Sequence, residues 1–259
     1  MSPVAGQEGT VGKPSGLGSV TAQRCGRRGG GRPSQTGVMT ASADRCATLR
    51  HVADRIAELD DGGGLRIGVD GMDGAGKTVF ADQLAARVRV PGRPVVRVSL
   101  DDFHHVRAVR HRQGRDSPRG FWEDSYDYDR FRLDVLEPFG PGGSRLYRAA
   151  AHDLETDVVL DGEPCAADPG AVLIVDGLFL HRDELVPVWD LSVFLDVPFE
   201  ETARRMSDRD GTSPDPDHPG MRRYVEGQRL YFAACAPQDR ATILIDNRDF
   251  AAPRIIRDR

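Results

Sequence analysis

One stretch of sequence, Gly71-Met72-Asp73-Gly74-Ala75-Gly76-Lys77-Thr78, constrains the fold of this chain more than any other feature. It fits the pattern G-x-x-x-x-G-K-[ST] at every fixed position, and Lys77 is the only lysine after residue 13. A strand-like apolar run at 65–70 precedes the stretch, and an amphipathic helical pattern at 77–89 follows it. A strand, a glycine-rich turn and a helix in this order hold phosphate oxygens on inward-pointing N–H groups. The stretch therefore predicts a phosphate-binding loop for a nucleoside triphosphate.

The residues of this loop have separate expected roles. Lys77 is expected to reach the β- and γ-phosphates, and the Thr78 hydroxyl is expected to hold Mg²⁺. The alternative, a glycine-rich turn without a ligand, is disfavoured because both flanks have the right pattern. The residues expected to bind ATP are Gly71, Asp73, Gly74, Ala75, Gly76, Lys77, Thr78 and Val79.

Composition and charge narrow the class of protein. The 259 residues are 39% hydrophobic, enough for a substantial core, and no apolar run approaches the roughly 18 residues of a membrane span. The net charge of −5 arises after residue 43, because residues 1–43 are basic. An acidic body argues against a nucleic-acid partner. Four cysteines lie far apart without a C-x-x-C pair, which favours reduced thiols and a cytoplasmic location.

The first 43 residues differ sharply in composition from the rest. They are rich in Gly, Ser, Pro and Thr, lack apolar periodicity, and are expected to be disordered. Met39 offers an alternative start for the native protein, and a targeting peptide is a further alternative for this basic segment. The folded part is expected to begin near Ser42 with an amphipathic helix and to continue as one domain over 44–259.

Strand-like and helical patterns alternate along this domain. Strands are predicted at 65–70, 94–100, 171–175, 190–196 and 241–245, and helices at 77–89, 128–137, 198–208 and 219–233. Several of the strands are continuous apolar runs, as expected when both faces are buried. The alternation predicts a three-layer α/β fold with a mostly parallel central sheet flanked by helices. Ligands of such sheets bind at the carboxyl ends of the strands.

Carboxylates follow two of the predicted strands. Asp176 ends the apolar run at 171–175, which in a protein with a phosphate-binding loop is the usual place for an acid that holds Mg²⁺. Asp101 and Asp102 end the run at 94–100, where an aspartate could act as the base on an acceptor hydroxyl. A turn or a helix cap is the alternative in each case. Spacing alone does not separate Asp101 from Asp102 as the base.

Two further segments suit phosphoryl transfer. Arg204, Arg205 and Arg209 lie on or after the helix predicted at 198–208, where arginines could close over the phosphates. A solvated basic helix face is the alternative. The stretch at 103–131 is polar and rich in histidine and aromatic residues, which is typical of an acceptor-binding insertion.

Taken in order, these motifs resemble those of the uridine kinase family, in a wider group with phosphoribulokinase and bacterial pantothenate kinase. The resemblance covers about 65–250. Its motifs are G-x-D-G-x-x-G-x-G-K-T at 68–78, S-x-D-D-F-H at 99–104, Y-D-Y-D at 126–129, strand-Asp-Gly at 172–177, F-L-D-V-P at 194–198 and an arginine-bearing lid near 204–209. The resemblance implies a P-loop kinase domain with ATP and Mg²⁺ as cofactors, an acceptor-binding insertion at about 103–131 and a lid at about 204–219.

The resemblance also implies roles for single residues. Asp101 matches the base that accepts the proton of a sugar 5′-hydroxyl, and Asp127 matches the residue that holds the ribose hydroxyls. His104 lies where the family places a side chain near the nucleobase, and His152 approximately matches a base-contacting histidine. The expected substrate-binding residues are Asp102, His104, Tyr126, Asp127 and His152. The expected catalytic residues are Lys77, Asp101, Arg205 and Arg209, and the expected metal ligands are Thr78 and Asp176.

The chain departs from the family pattern at two of these positions. Asp102 stands where the family usually has Ser, and Asp176 stands where Glu is common.

The expected activity is transfer of the ATP γ-phosphate to the 5′-hydroxyl of a pyrimidine nucleoside, uridine or cytidine. Another hydroxyl acceptor, such as pantothenate or a sugar, and an NTP-hydrolysing accessory ATPase are the alternatives. Because members of the family often form oligomers, a homo-oligomer is among the expected assemblies.

Overall fold

Strands and helices alternate along the part of the chain that the structure describes, which is residues 42–59, 63–89 and 92–259 of a computed structural model. The strands are β1 (Arg66–Gly71), β2 (Val95–Ser99), β3 (Leu146–Tyr147), β4 (His152–Asp153), β5 (Val158–Val159), β6 (Cys165–Ala166), β7 (Val172–Asp176), β8 (Leu191–Asp196), β9 (Ile243–Asp246) and β10 (Arg254–Asp258). The helices are α1 (Ala43–Glu58), α2 (Lys77–Arg89), α3 (Arg107–Arg110), α4 (Pro118–Asp124), α5 (Tyr128–Phe131), α6 (Phe199–Asp210), α7 (Arg222–Cys235) and α8 (Pro237–Arg240).

The central sheet has six strands in the order β10-β9-β8-β1-β7-β2. All neighbouring pairs are parallel except β9 and β10. Both faces of the sheet are covered: Leu173 and Val175 pack into one apolar cluster, whereas Ile174 between them packs into the other. This alternation explains the continuous apolar run of β7, because each successive side chain enters a core on the opposite face. The predicted three-layer α/β architecture is confirmed.

The sheet register brings the functional strand ends together. Asp176 at the end of β7 lies beside Val69 of β1 on one side and beside Ser99 of β2 on the other. The phosphate-binding loop follows β1, and the Asp101-Asp102 pair follows β2. The three segments that the sequence singled out therefore meet at one edge of the sheet.

Most predicted elements are present, with ends displaced by at most three residues. The helix predicted at 128–137 is α5 followed by a π-helical turn at Arg132–Leu136, and α6 continues to Asp210. The edge strand β10 and two small hairpins, β3 with β6 and β4 with β5, were missed. These strands are short or irregular, and β10 carries a register shift between Ile255 and Arg257, so none gives a clear period-two pattern.

Predictions for the first 43 residues fall almost entirely outside the described residues. Of that segment the structure describes Ser42, whose side chain accepts a hydrogen bond from the Arg45 N–H, and Ala43, which begins α1. Within the described ranges, no helix is long and apolar enough to cross a membrane. Cys235 is a buried thiol outside any disulfide. Cys165 is disulfide-bonded, so the prediction of reduced thiols is wrong at that position.

Candidate active site

The loop between β1 and α2 is tightly enclosed by its neighbours. Gly74 and Gly76 have φ of 77° and 87°, in the left-handed region that favours glycine. A Cβ on Gly74 would lie 2.7 Å from the Thr202 carbonyl oxygen, and one on Gly76 would lie 2.9 Å from the Phe250 ring. Both the backbone conformation and the close approach of neighbours therefore require glycine at these two positions.

Replacing Gly74 by alanine is expected to distort the loop. The left-handed backbone costs about 1–2 kcal/mol for a residue with a Cβ, and the contact with Thr202 adds to that cost. Thermal unfolding and binding of a non-hydrolysable ATP analogue would measure the effect. Gly92→Ala is the matched control, because Gly92 also has a positive φ of 85° but a Cβ there meets nothing within 4 Å. Equal loss of nucleotide affinity in both variants would contradict the role of the close contact.

Lys77 and Thr78 begin α2 and lie where a phosphate chain would meet the loop. The Lys77 Nζ donates to the Met72 carbonyl oxygen at 2.9 Å, and the side chain is buried. The Thr78 hydroxyl donates to Asp176 Oδ2 at 2.6 Å. Two predicted metal-binding residues, 98 positions apart in sequence, are thus in direct contact.

The side-chain oxygens of Thr78 and Asp176 are the kind of ligand that magnesium binds. Mg²⁺ prefers oxygen ligands, keeps several waters, and usually takes only one or two protein groups together with substrate phosphates. Among the described residues there is no cluster of three or more His, Cys, Asp or Glu side chains that could hold a metal. Thr78 and Asp176 could therefore hold a cation that brings most of its ligands with the nucleotide.

A buried polar network that the sequence analysis missed lies directly behind the loop. Asp70 is fully buried and accepts hydrogen bonds from the Gly71 N–H at 2.7 Å, the Tyr231 hydroxyl at 2.5 Å and His181 Nδ1 at 2.8 Å. The other His181 ring nitrogen lies 3.0 Å from the Ser192 hydroxyl. Burial, and then the Asp70 carboxylate, raises the pKa of Tyr231 well above its ordinary value, so this phenol keeps its proton and donates. The one sign of this network in the sequence was Asp70, a carboxylate within a strand that is otherwise largely apolar.

Removing the Tyr231 hydroxyl is expected to destabilise the protein. Tyr231→Phe would leave a fully buried carboxylate with one donor fewer, at a cost of about 1–3 kcal/mol in the free energy of unfolding. Urea denaturation would measure that cost. Tyr224→Phe on the same helix is the control, because its hydroxyl lies outside the network. A free energy of unfolding unchanged by Tyr231→Phe would show that the network does not support the loop.

Four charged groups converge beyond the loop. The Asp73 N–H donates to Gln228 Oε1 at 2.9 Å, which turns this loop residue towards α7. Burial raises the pKa of the Asp73 carboxyl, the Lys77 cation opposes that rise, and Asp101 adds to it. The pKa of Arg209 is raised, first by its hydrogen bond to Asp210 and further by Asp73 and Asp101. The end of α6, the loop and the end of β2 therefore lie near one another.

Asp101 has a defined hydrogen-bonding environment. Its Oδ1 accepts from the Tyr126 hydroxyl at 2.8 Å, and its carbonyl oxygen lies 2.7 Å from His104 Nδ1. Burial, followed by the Asp101 charge, raises the pKa of Tyr126 well above its ordinary value, so Tyr126 remains a donor. Burial lowers the pKa of His104, which makes the imidazole neutral near pH 7. The structure thus brings together three sequence-predicted residues.

The other predicted acceptor residues lie around this group. The Asp102 carbonyl oxygen accepts from the Ala151 N–H at 2.9 Å, which ties the end of β2 to the β4 hairpin. Asp127 Oδ1 caps α5 through the Arg130 N–H at 2.9 Å. His152 is buried, with Nε2 at 3.2 Å from Asp157 Oδ1, while its Nδ1 has no hydrogen-bond partner within the described part of the chain. His152 also contributes to the lowered pKa of His104, although less than burial does.

The two lid arginines have different surroundings. The Arg205 guanidinium pairs with Glu201 at 2.7 Å and donates to the carbonyl oxygens of Gly74 at 3.4 Å and Asn247 at 2.9 Å. Arg205 therefore holds α6 against the loop. Arg209 is more exposed and pairs with Asp210 at 2.6 Å. Only Arg209 of this pair combines an exposed guanidinium with a position facing Asp73 and Asp101.

The aromatic side chains of the segment at 103–131 divide between the core and the surroundings of Asp101. Phe121 is buried in the core, where its ring packs edge-on against Phe179 at a centroid distance of 5.5 Å. Trp122 also packs against Phe179, at 4.9 Å. These aromatic side chains attach the insertion to the domain, whereas His104 and Tyr126 face Asp101.

The chain resembles known kinases in both sequence and fold. Human nicotinamide riboside kinase 1 is 30% identical over 162 residues, which are 62% of this chain and 70% of that protein. The rat protein of the same name is 30% identical over 157 residues, 58% of this chain and 69% of its own length. No family model matches the chain.

Solved structures share the fold. A possible uridine kinase from Bacillus stearothermophilus has a TM-score of 0.61 at 22% identity and covers 77% of this chain and 97% of its own. D-glycerate 3-kinase from Cryptococcus neoformans has a TM-score of 0.54 at 11% identity and covers 81% of this chain and 99% of its own. Fold, loop and relatives define a P-loop kinase. The chain belongs to the uridine kinase-like family of P-loop kinases, which confirms the resemblance seen in the sequence.

Proposed function

We propose that this protein transfers the γ-phosphate of ATP to the 5′-hydroxyl of a nucleoside. The observation that carries the proposal is the position of Asp101. Its carboxylate accepts a hydrogen bond from Tyr126 and is near enough to Asp73 of the phosphate-binding loop for its charge to raise the pKa of Asp73. A base placed beside that loop can accept a proton from an acceptor hydroxyl that approaches the γ-phosphate.

In this mechanism the loop binds the phosphate donor. Lys77 and the N–H groups at the start of α2 hold the phosphates, since the first N–H groups of a helix have no preceding turn to bond. Thr78 and Asp176 would hold Mg²⁺, which would neutralise developing charge on the phosphates. Asp101 accepts the proton of the hydroxyl, and Arg209 closes over the transferring group. Positioning and electrostatic stabilisation supply most of the rate gain.

The acceptor side suits a ribose carrying a base. The Asp127 side chain is partly exposed, and its second carboxylate oxygen, Oδ2, lies 3.7 Å from His105 Nδ1. This oxygen can accept hydrogen bonds from ribose hydroxyls. The neutral ring of His104 offers a flat surface to a nucleobase. The His152 Nδ1 is buried and has no hydrogen-bond partner among the described residues, so it would reach a nucleobase only after a local rearrangement. Pyrimidine nucleosides remain the first acceptors to test. The human relative is named for nicotinamide riboside, also a nucleoside, which supports the class and widens the panel.

An acceptor panel tests this function. ADP release from ATP and Mg²⁺ would be measured with uridine, cytidine, purine nucleosides, nicotinamide riboside, pantothenate, D-glycerate, ribulose 5-phosphate and no acceptor. Strong stimulation by one nucleoside is the expected result, with Lys77→Ala as the blank. Stimulation only by a compound without a ribose would move the acceptor outside the nucleosides. Equal release with and without every acceptor would favour an NTP-hydrolysing ATPase.

The cytoplasmic location and the homo-oligomer that the sequence analysis expects both stay predictions.

A further inference from the structure

Arg97 is a fixed cation beside Thr78 and Asp176, the pair of side chains that could hold the metal. It lies on β2, where its side chain is mostly buried. Its Nη1 donates to the Ile174 carbonyl oxygen at 2.7 Å, and its Nε donates to Asp82 Oδ1 at 3.1 Å. Its Nη2 donates to Asp176 Oδ1 at 2.7 Å. Three separate partners therefore hold the guanidinium in one orientation.

The ion pair orients the Asp176 carboxylate. With Oδ1 held by Arg97, the remaining oxygen is turned to the Thr78 hydroxyl, 2.6 Å away. A hydroxyl that donates its proton to a carboxylate keeps its lone pairs free for a cation. Arg97 thus fixes Thr78, through Asp176, in the state that can bind a metal.

The ion pair also cancels charge where the cation would bind. The Asp176 side chain is only 2% exposed, so water screens its pairing with Arg97 weakly. Lys77 adds a second cation on the same loop. The charge of the Asp73 carboxylate is opposed by Lys77 and Arg209, and Asp101 also lies near Arg209. A bare divalent cation therefore gains little from Asp176, whereas a cation bound to nucleotide phosphates brings its own anionic ligands.

We propose that Arg97 is a positioning residue that makes metal binding depend on the nucleotide. It holds Asp176 in the orientation that accepts the Thr78 proton. Its positive charge also offsets the negative charge of Asp176, so the nucleotide phosphates must supply the negative charge that attracts the metal. The metal enters this site with the nucleotide rather than alone. The inference rests on the proposed function in one respect, namely that Thr78 and Asp176 hold the cation of the phosphate donor.

Manganese binding, followed by electron paramagnetic resonance of free Mn²⁺, tests this inference. The wild type is expected to bind Mn²⁺ weakly alone and tightly with a non-hydrolysable ATP analogue. Arg97→Gln removes the competing charge but keeps a side-chain N–H that can donate to Asp176, and it is expected to tighten Mn²⁺ binding without nucleotide by about tenfold. Arg97→Lys keeps the charge and is expected to stay within about twofold of wild type. Structural damage alone would weaken binding, so a gain in affinity is specific to the proposed role.

Two controls keep the test decisive. Asp82→Asn removes the exposed carboxylate partner of Arg97 and is expected to leave Mn²⁺ affinity without nucleotide unchanged. Arg97→Asn is a second neutral variant that keeps a side-chain N–H donor, for use if Arg97→Gln does not fold, as judged by thermal unfolding. Unchanged or weaker Mn²⁺ binding without nucleotide in the folded neutral variant would overturn the inference alone. Failure of the wild type to bind Mn²⁺ even with the ATP analogue would overturn the proposed function together with the inference.

Discussion

Replacing Lys77 by alanine is expected to lower kcat by about 100- to 1000-fold and to weaken ATP binding as well. The ammonium group is the cation at the centre of the loop, where it is buried and held by the Met72 carbonyl oxygen at 2.9 Å. Bound phosphates would take over this contact, and the charge on the transferring group would be left unbalanced without it. Steady-state kinetics together with calorimetric titration of an ATP analogue would measure both effects.

Arg89→Ala is the matched control for that variant. Arg89 is an exposed cation at the far end of the same helix, and it donates to the Val95 carbonyl oxygen at 3.0 Å. Its removal is expected to leave both ATP affinity and kcat within about twofold, because exposed polar contacts contribute little. Near-normal turnover in Lys77→Ala would mean that the loop is not the phosphate site.

Asp101→Asn is expected to lower kcat by about 100- to 10,000-fold while ATP affinity stays nearly constant. The amide has the size of the carboxylate and can still accept a hydrogen bond from the Tyr126 hydroxyl, which lies 2.8 Å from Oδ1. It cannot accept the proton of the acceptor hydroxyl. The comparison of kcat with the dissociation constant of the ATP analogue separates a base from a binding residue.

Asp102→Asn decides between the two neighbouring carboxylates. The Asp102 backbone oxygen is tied to the Ala151 N–H, whereas the Asp101 carboxylate interacts with Asp73 and Arg209. We therefore expect the larger loss of kcat in Asp101→Asn. A larger loss in Asp102→Asn would move the base by one residue. Equal loss of ATP affinity and turnover in Asp101→Asn would count against a base at this position.

The loop and the sheet could be predicted because their signals are local. The motif at 71–78 combines fixed residue types with a strand before and a helix after it, and both flanks lie within the same short segment. The long strands β7 and β8 could be recognised as continuous apolar runs, because both of their faces are buried. Predicting a parallel sheet then placed Asp101 and Asp176 at one edge, since strand ends meet there.

The supporting contacts could not be predicted because their partners are remote in sequence. Asp70 meets His181 across 111 positions and Tyr231 across 161 positions, and each of these residues alone looks like an ordinary core or surface residue. Arg97 meets Asp176 across 79 positions, and only the register of β2 on β7 brings them together. Arg205 shows the same limit: its helix was predicted, but its contacts with Gly74 and Asn247 depend on how that helix packs.

The most direct test of the central claim is to follow the γ-phosphate of ATP itself. With ATP carrying ³²P at the γ position, Mg²⁺ and the best nucleoside from the panel, the products would be separated by chromatography. We expect label in the nucleoside 5′-monophosphate, in equal amount to the ADP formed, with little in inorganic phosphate. Label found only in inorganic phosphate would contradict transfer to an acceptor hydroxyl and would identify the protein as a hydrolase of ATP.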